Sequence, residues 1–275
     1  MRTYHHNDLD GRCAAAVVFS VADKTMKFIE LDYHNEVDID AIKKNEKIII
    51  VDFSFKPEVM EKILEKTKDI TWIDHHKTAD EYVYSQPIEG LRITENKKFA
   101  ACELTWMYYY QNFPLPEAVK LIGDRDKWAW NYGEKTLLFN LGMEIYPQDP
   151  TDANWGKLLH NDIALIDEIS NAGKTCVRYR DAVCLDYRNA YGFEALFEGR
   201  KCYAQGLYMF GSEAFGDKIN TYPICISFEF TGDKWIVGLY STTIDVGEIA
   251  KKYGGGGHKG ASGFVTQSLP FQKIK

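Results

Sequence analysis

The sequence predicts an α/β protein: a mostly parallel sheet in an N-terminal domain, a smaller α/β C-terminal domain, and a helical linker between them. Three observations carry this expectation. Short apolar runs alternate with helical patterns over the first third of the chain, helical patterns dominate the middle, and the last third reads as closely spaced strands with a hairpin signal. With 275 residues, 45% hydrophobic and 27% charged, the chain has a globular composition and the length of one large domain or two ordinary ones.

Taken in order, Arg2–His6 is a short strand. Residues 11–22 (GRCAAAVVFSVA) are small, apolar and helical in pattern. Lys27–Leu31 and residues 47–52 (KIIIVD) are strands, the second continuously apolar up to its aspartate, as expected where both faces are covered. Pro57–Lys66 carries apolar residues at 59, 60, 63 and 64 behind a proline suited to a first helical turn. Ile70–Asp74 is a further strand, completing a β-α-β alternation. Residues 100–110, 117–122, 155–160 and 162–172 read as helices. Residues 201–209, 222–230 and 235–240 read as strands, with Gly232-Asp233 as a hairpin turn, and a helix over 246–253 runs into four glycines. The expected division is 1–150, a linker over 151–188, and 189–275.

Lys plus Arg number 33 and Asp plus Glu 40, a formal net charge of −7. That argues against a broad basic face for long duplex DNA. It leaves room for a small polyanionic substrate, because bound metal ions supply positive charge locally. The cysteines (13, 102, 176, 184, 202 and 225) form no C-x-x-C pair, so neither a zinc ribbon nor a thioredoxin-type motif is expected. The first dozen residues carry charge without an apolar leader, and the longest apolar stretch, residues 14–19, is too short to span a bilayer. The expectation is a cytoplasmic protein with buried, reduced thiols and no membrane partner.

The informative residues are polar ones at the C-terminal ends of the expected strands, where open parallel sheets bind ligands. The first strand runs into His5-His6-Asn7-Asp8-Leu9-Asp10-Gly11, the KIIIV strand ends in Asp52, and ITWI ends in Asp74-His75-His76. A helical pattern ends in Gly123-Asp124-Arg125-Asp126. An aspartate after a strand is commonly only a turn or helix cap, so no single member carries the argument. The conjunction does: carboxylates so gathered repel one another unless divalent cations neutralise them. Mixed carboxylate and imidazole ligation suits Mn²⁺, with Mg²⁺ or Co²⁺ as substitutes, better than Ca²⁺.

These four motifs resemble those of the DHH phosphoesterase superfamily. Residues 245–250 followed by GGGGHKGASG (254–263) resemble the DHH-associated C-terminal domain, so the resemblance covers nearly the whole chain. The compact length and the HNDLDG wording are similar to the short oligoribonuclease, or nano-RNase, members. The resemblance implies two ions: one held by His6, Asp8 and Asp52, the other by Asp10, Asp52, His75 and Asp124, with Asp52 bridging. His5 is the alternative to His6, and Asp126 to Asp124. Asp74 would orient an imidazole, and His76 would face the substrate phosphate. Arg125, Gly255, Gly256, Gly257, His258 and Lys259 would bind substrate. The implied reaction is hydrolysis of short single-stranded oligonucleotides or small nucleotide diesters to mononucleotides; the oligomeric state is left open, with a homodimer as the candidate assembly. The alternatives are a pyrophosphatase or polyphosphatase on the same metal core, and a catalytically silent nucleotide-binding module.

The four glycines also have a plainer reading, as a helix C-cap and turn. Members of the family often carry an arginine where this chain has Tyr240, and Arg188 or Arg200 would have to compensate. Most of the 38 aromatics (17 Tyr, 15 Phe and 6 Trp), Tyr108-Tyr109-Tyr110 included, are expected in cores and interfaces. Trp128 and Trp130 are the best candidates for stacking on bases.

Overall fold

The computed structural model describes residues 1–23, 25–32, 35–95 and 98–274. Its first unit, Met1–Cys176, is organised by strands β1 (Arg2–His6), β2 (Lys27–Leu31), β3 (Ile48–Val51), β4 (Ile70–Asp74) and β5 (Glu89–Arg92). They form one parallel sheet in the order β2-β1-β3-β4-β5, so the winding reverses between β1 and β3. The apolar runs alternate between the faces. Ile49, Val51 and Ile73 pack on one side beneath helices α1 (Leu9–Val21), α3 (Ala101–Tyr109) and α4 (Glu117–Asp126). Tyr4, Ile48, Ile50 and Trp72 pack on the other with Met60, Ile63 and Leu64 of α2 (Pro57–Lys66). Burial on both faces explains why β3 shows no polar alternation.

The N-terminal domain is expected to end near residue 150, with a linker to 188. In the structure α5 (Glu134–Met143), α6 (Ala153–Leu159) and the start of α7 (Ile163–Tyr191) contribute to the first core, through Phe139, Trp155, Leu158, Leu165, Ile166 and Ile169. Helix α7 runs for 29 residues, well past the expected stop at 172. Gly173, the residue just past that expected stop, is a packing glycine: a Cβ on it would stand 1.8 Å from the Leu138 carbonyl oxygen, and one on Gly142 2.0 Å from that of Ile169. Two helices therefore approach there more closely than any side chain permits. Among the described residues no helix is long and apolar enough to cross a membrane.

The second unit, Val177–Lys275, holds a seven-stranded sheet. Its strands are β6 (Phe193–Phe197), β7 (Arg200–Gln205), β8 (Cys225–Phe230), β9 (Trp235–Tyr240), β10 (Gly256–Gly257), β11 (Ala261–Thr266) and β12 (Gln272–Lys273), ordered β10-β11-β9-β8-β7-β6-β12. Neighbours are antiparallel except β7 and β8. The expected Gly232-Asp233 hairpin joins β8 to β9, with Phe230 opposite Trp235. Val246, Ile249 and Ala250 of α8 (Val246–Lys252) pack on one face with Val237, Leu239 and Phe264. Cys184, Phe215 and Cys225 form a smaller cluster with Tyr240 against it. All six cysteines are free thiols, five of them buried.

Candidate metal centre

The reversal between β1 and β3 opens a crevice at the strands' carboxyl ends, and it receives His6 and Asp8 after β1, Asp52 after β3, and Asp74, His75 and His76 at the end of β4. His6 Nδ1 lies 2.7 Å from Asp8 Oδ2 and 3.8 Å from Asp52 Oδ2. His75 Nε2 lies 3.3 Å from Asp52 Oδ1, 3.6 Å from Asp126 Oδ2 and 3.8 Å from Asp10 Oδ2. Three triads follow, with ligand atoms mutually within 4.8 Å: His6–Asp8–Asp52, Asp10–His75–Asp126 and Asp52–His75–His76.

Local structure aims each group. Asp8 caps α1 through the Gly11 amide, 2.9 Å from Oδ1, which leaves Oδ2 for His6. A Cβ at Gly11 would lie 2.5 Å from the His6 carbonyl oxygen, so the glycine closing H-x-D-x-D-G lets α1 seat directly on the strand. Asp10 is buried and accepts the Ala101 and Cys102 amides at 2.8 and 2.9 Å, the first free N–H groups of α3. Asp74 is buried and fixes the histidine pair: Oδ1 meets His76 Nδ1 at 2.8 Å and the His75 amide at 2.9 Å, while Ser54 donates its hydroxyl to Oδ2. Ser54, two residues past Asp52, is not among the residues the sequence singles out, because a serine after a strand gives no distinct signal.

Asp52 is the residue that calls for a cation. Both its carboxylate oxygens, and Nε2 of His75, are buried without a hydrogen-bond partner. Its φ is +53°, left-handed backbone that aspartate tolerates better than most residues. Burial, then the charges of Asp8, Asp10, Asp126 and Asp74, push its acid well above the ordinary carboxylate range. Burial opposes ionisation of Asp8 too, but the His6 hydrogen bond and the Gly11 amide outweigh it and hold Asp8 well below that range. Burial would discharge His76, yet the Asp74 hydrogen bond and charge raise it to about 9. Burial lowers His75, and a neutral imidazole is the form that ligates. A buried carboxylate with unmatched oxygens, facing a neutral imidazole, fits divalent cations.

The structure changes the expected set at one position. Asp124, the fourth expected ligand, points away from the cluster: it accepts the Asn131 and Tyr132 amides at 2.8 and 3.3 Å and the Thr136 hydroxyl at 2.5 Å, tying down the loop before α5. Asp126, the alternative that the sequence leaves open, lies in the cluster with Asp10 and His75. Asp124 and Asp126 lie two residues apart near the end of α4, about 200° around the helix axis, so only one faces the crevice. Of the two histidines, His6 enters the cluster, while His5 points to the opposite face of β1 and lines a separate cavity of about 450 Å³ with Arg12, Glu30, Glu144 and Gln148.

Arg125 lies over the Trp128 ring at 4.1 Å and the Trp130 ring at 5.0 Å. Gly255, Gly256, Gly257, His258 and Lys259 belong to the second unit. The Gly254 amide bonds the Lys251 carbonyl and the Gly255 amide that of Ala250, a Schellman C-cap, as the plainer reading expects. Gly256 and Gly257 pair with Gly263 and Ser262 of β11, and a Cβ on Gly256 would meet nothing within 4 Å. Tyr240 packs on Phe215, while Arg188 and Arg200 donate to the Ala214 and Glu198 carbonyls. Tyr108, Tyr109 and Tyr110 pack against the first core.

Residues 2–122 match the model of the DHH family, N-terminal domain. An uncharacterized protein of Acanthamoeba polyphaga mimivirus is 25% identical over 308 aligned residues, covering 98% of this chain and 69% of its own. Among solved structures, the DHH domain of a protein from a ribosomal-protein family aligns with a TM-score of 0.59 at 13% identity, over 96% of this chain and 82% of that one. The pGpG-specific phosphodiesterase PggH from Vibrio cholerae aligns at 0.52 and 15%, over 97% and 93%. The exonuclease RecJ bound to manganese aligns at 0.50 and 14%, over 96% and 85%.

Proposed function

We propose that this chain is a member of the DHH phosphoesterase superfamily, whose N-terminal domain model matches residues 2–122, and a two-metal phosphodiesterase that hydrolyses short single-stranded oligonucleotides or small nucleotide diesters to mononucleotides. The carrying observation is Asp52, whose buried, unmatched oxygens lie between the His6–Asp8 pair and the His75–Asp126 pair. His6, Asp8 and Asp52 would hold one ion, and Asp10, Asp52, His75 and Asp126 the other. Mn²⁺ ions held there would neutralise phosphate charge and activate a water for in-line attack. Asp74 holds His76 by Nδ1, which leaves Nε2 to meet a phosphate oxygen or leaving group. No side chain need act as nucleophile. Two relatives of like fold are a pGpG-specific phosphodiesterase and a manganese-bound exonuclease, which supports a nucleotide diester as substrate. The net charge of −7 favours a small substrate over a long duplex.

The test is a Mn²⁺-dependent hydrolysis panel of di- to pentanucleotides, cyclic dinucleotides and pyrophosphate, with products identified. Mononucleotide release that stops in excess chelator is expected. Turnover confined to pyrophosphate, or undiminished by chelator, overturns the reading.

A further inference from the structure

The loop that follows Asp126 is built unusually. Trp128 and Trp130 both hold left-handed backbone, at φ of +56° and +57°, a conformation that bulky residues seldom adopt because of its steric cost. Glycine or asparagine would sit there without that cost. The loop is nevertheless fixed: Asp124 accepts the Asn131 and Tyr132 amides through its side chain and the Ala129 amide through its carbonyl, and the Trp128 amide bonds the Arg125 carbonyl. The two indoles meet edge to face, 5.1 Å apart, and the Arg125 guanidinium lies over both.

Burial does not account for the strain. Trp128 remains 50% exposed, so a large apolar surface is held rigid and half in water. It stands two residues, at most about 7 Å of backbone, beyond an aspartate of the metal cluster. A phosphate at the cluster would carry its nucleoside past this loop. An indole stiffened by a cation–π contact is a stacking surface for any base, because every base has a π-face.

We infer that Trp128, supported by Arg125 and Trp130, is a specificity-determining residue: it stacks on the nucleobase of the nucleotide whose phosphate lies at the metal cluster. The inference rests on the phosphodiesterase reading only for the placement of that phosphate. It predicts a preference for nucleotides over base-less phosphate esters, with little discrimination among bases.

The experiment compares AMP with ribose 5-phosphate by titration calorimetry on the full chain with Mn²⁺. Wild type should prefer AMP. Trp128→Ala should cut that preference by roughly 5–100-fold, the worth of one base–aromatic stack, and Trp128→Phe should retain most of it. Trp128→Gly accepts the left-handed backbone without steric cost, so its loss of preference could not be attributed to misfolding. A preference unmoved in the alanine and glycine variants overturns the inference. So does a wild-type protein that shows no preference, including one that binds neither probe. AMP preference in a protein that hydrolyses no diester would sink the phosphodiesterase reading and leave the stacking surface standing.

Discussion

Asp124 and Asp126 are chemically identical, two residues apart, and do opposite jobs. Asp124 accepts two amides of the loop that follows it and the Thr136 hydroxyl of α5, while Asp126 reaches His75. Their asparagine variants should therefore separate two readouts. Asp126→Asn should weaken Mn²⁺ binding by more than the roughly 10–100-fold that loss of a supporting group costs, with little change in melting temperature. Asp124→Asn loses charge-assisted hydrogen bonds worth about 1.5–3 kcal/mol and should lower the melting temperature by several degrees. Calorimetric Mn²⁺ titration and thermal unfolding of both variants check this, and a reversed pattern would return Asp124 to the cluster. Most of the site was legible in the sequence because its residues stand where strands end. Period-two alternation puts His5 and His6 on opposite sides of β1, and it is the structure that brings His6 to Asp8 and Asp52. In the fourth segment the sequence leaves the choice between Asp124 and Asp126 open, because on a helix a two-residue offset changes the face, and only tertiary packing decides which face meets the crevice. Ser54, and the backbone strain of the two tryptophans that the sequence does single out, have no sequence signal for a related reason: neither a hydroxyl's partner nor a backbone dihedral is written in residue type.

At the scale of elements, glycines decide how closely helices and strands approach. Alanine at Gly11 would drive Cβ to 2.5 Å from the His6 carbonyl oxygen, and alanine at Gly142 would put it 2.0 Å from that of Ile169. Both variants should lose about 1–3 kcal/mol in urea unfolding, the usual cost of overpacking. They should differ in Mn²⁺ titration. Gly11→Ala pushes α1 off the strand that carries His6 and should weaken binding at least tenfold, while Gly142→Ala disturbs only the α5–α7 crossing and should bind as wild type. Equal effects on Mn²⁺ would mean that α1 does not register the site. The same contacts explain which elements the sequence announced. Helices α1 and α2 and strands β1 to β4 follow local pattern and flanking signals. The length of α7 does not, because nothing local shows that Gly173 packs against the Leu138 carbonyl inside a continuing helix. Strand β11 was hidden for a similar reason: Ala261–Thr266 is short and glycine-interrupted, and it becomes a strand by pairing with β9 and β10.

At the scale of the whole molecule, every group of the candidate metal centre lies in Met1–Cys176, and the glycine-rich turn lies in Val177–Lys275. Ion binding should therefore stabilise the two units unequally. A ligand that binds only the folded state adds about 2.7 kcal/mol at a hundred times its dissociation constant. That gain belongs to the unit whose carboxylates otherwise repel one another. Hydrogen exchange read by mass spectrometry, with Mn²⁺ and then with excess chelator, is the direct measurement. Amides of β1, β3, β4 and the starts of α1 and α3 should exchange more slowly with the ion, by up to about a hundredfold, whereas β6 to β9 should be unaffected. The Ala101 and Cys102 amides are the sharpest reporters, since both donate to Asp10 and any tightening of the cluster passes directly to them. Protection spread evenly over both units would mean that the ion binds elsewhere or that the chain unfolds as one cooperative body. No protection at β1 and β3 would leave Asp52 a buried acid, protonated and silent, and would remove the physical basis for a cation between the two strands.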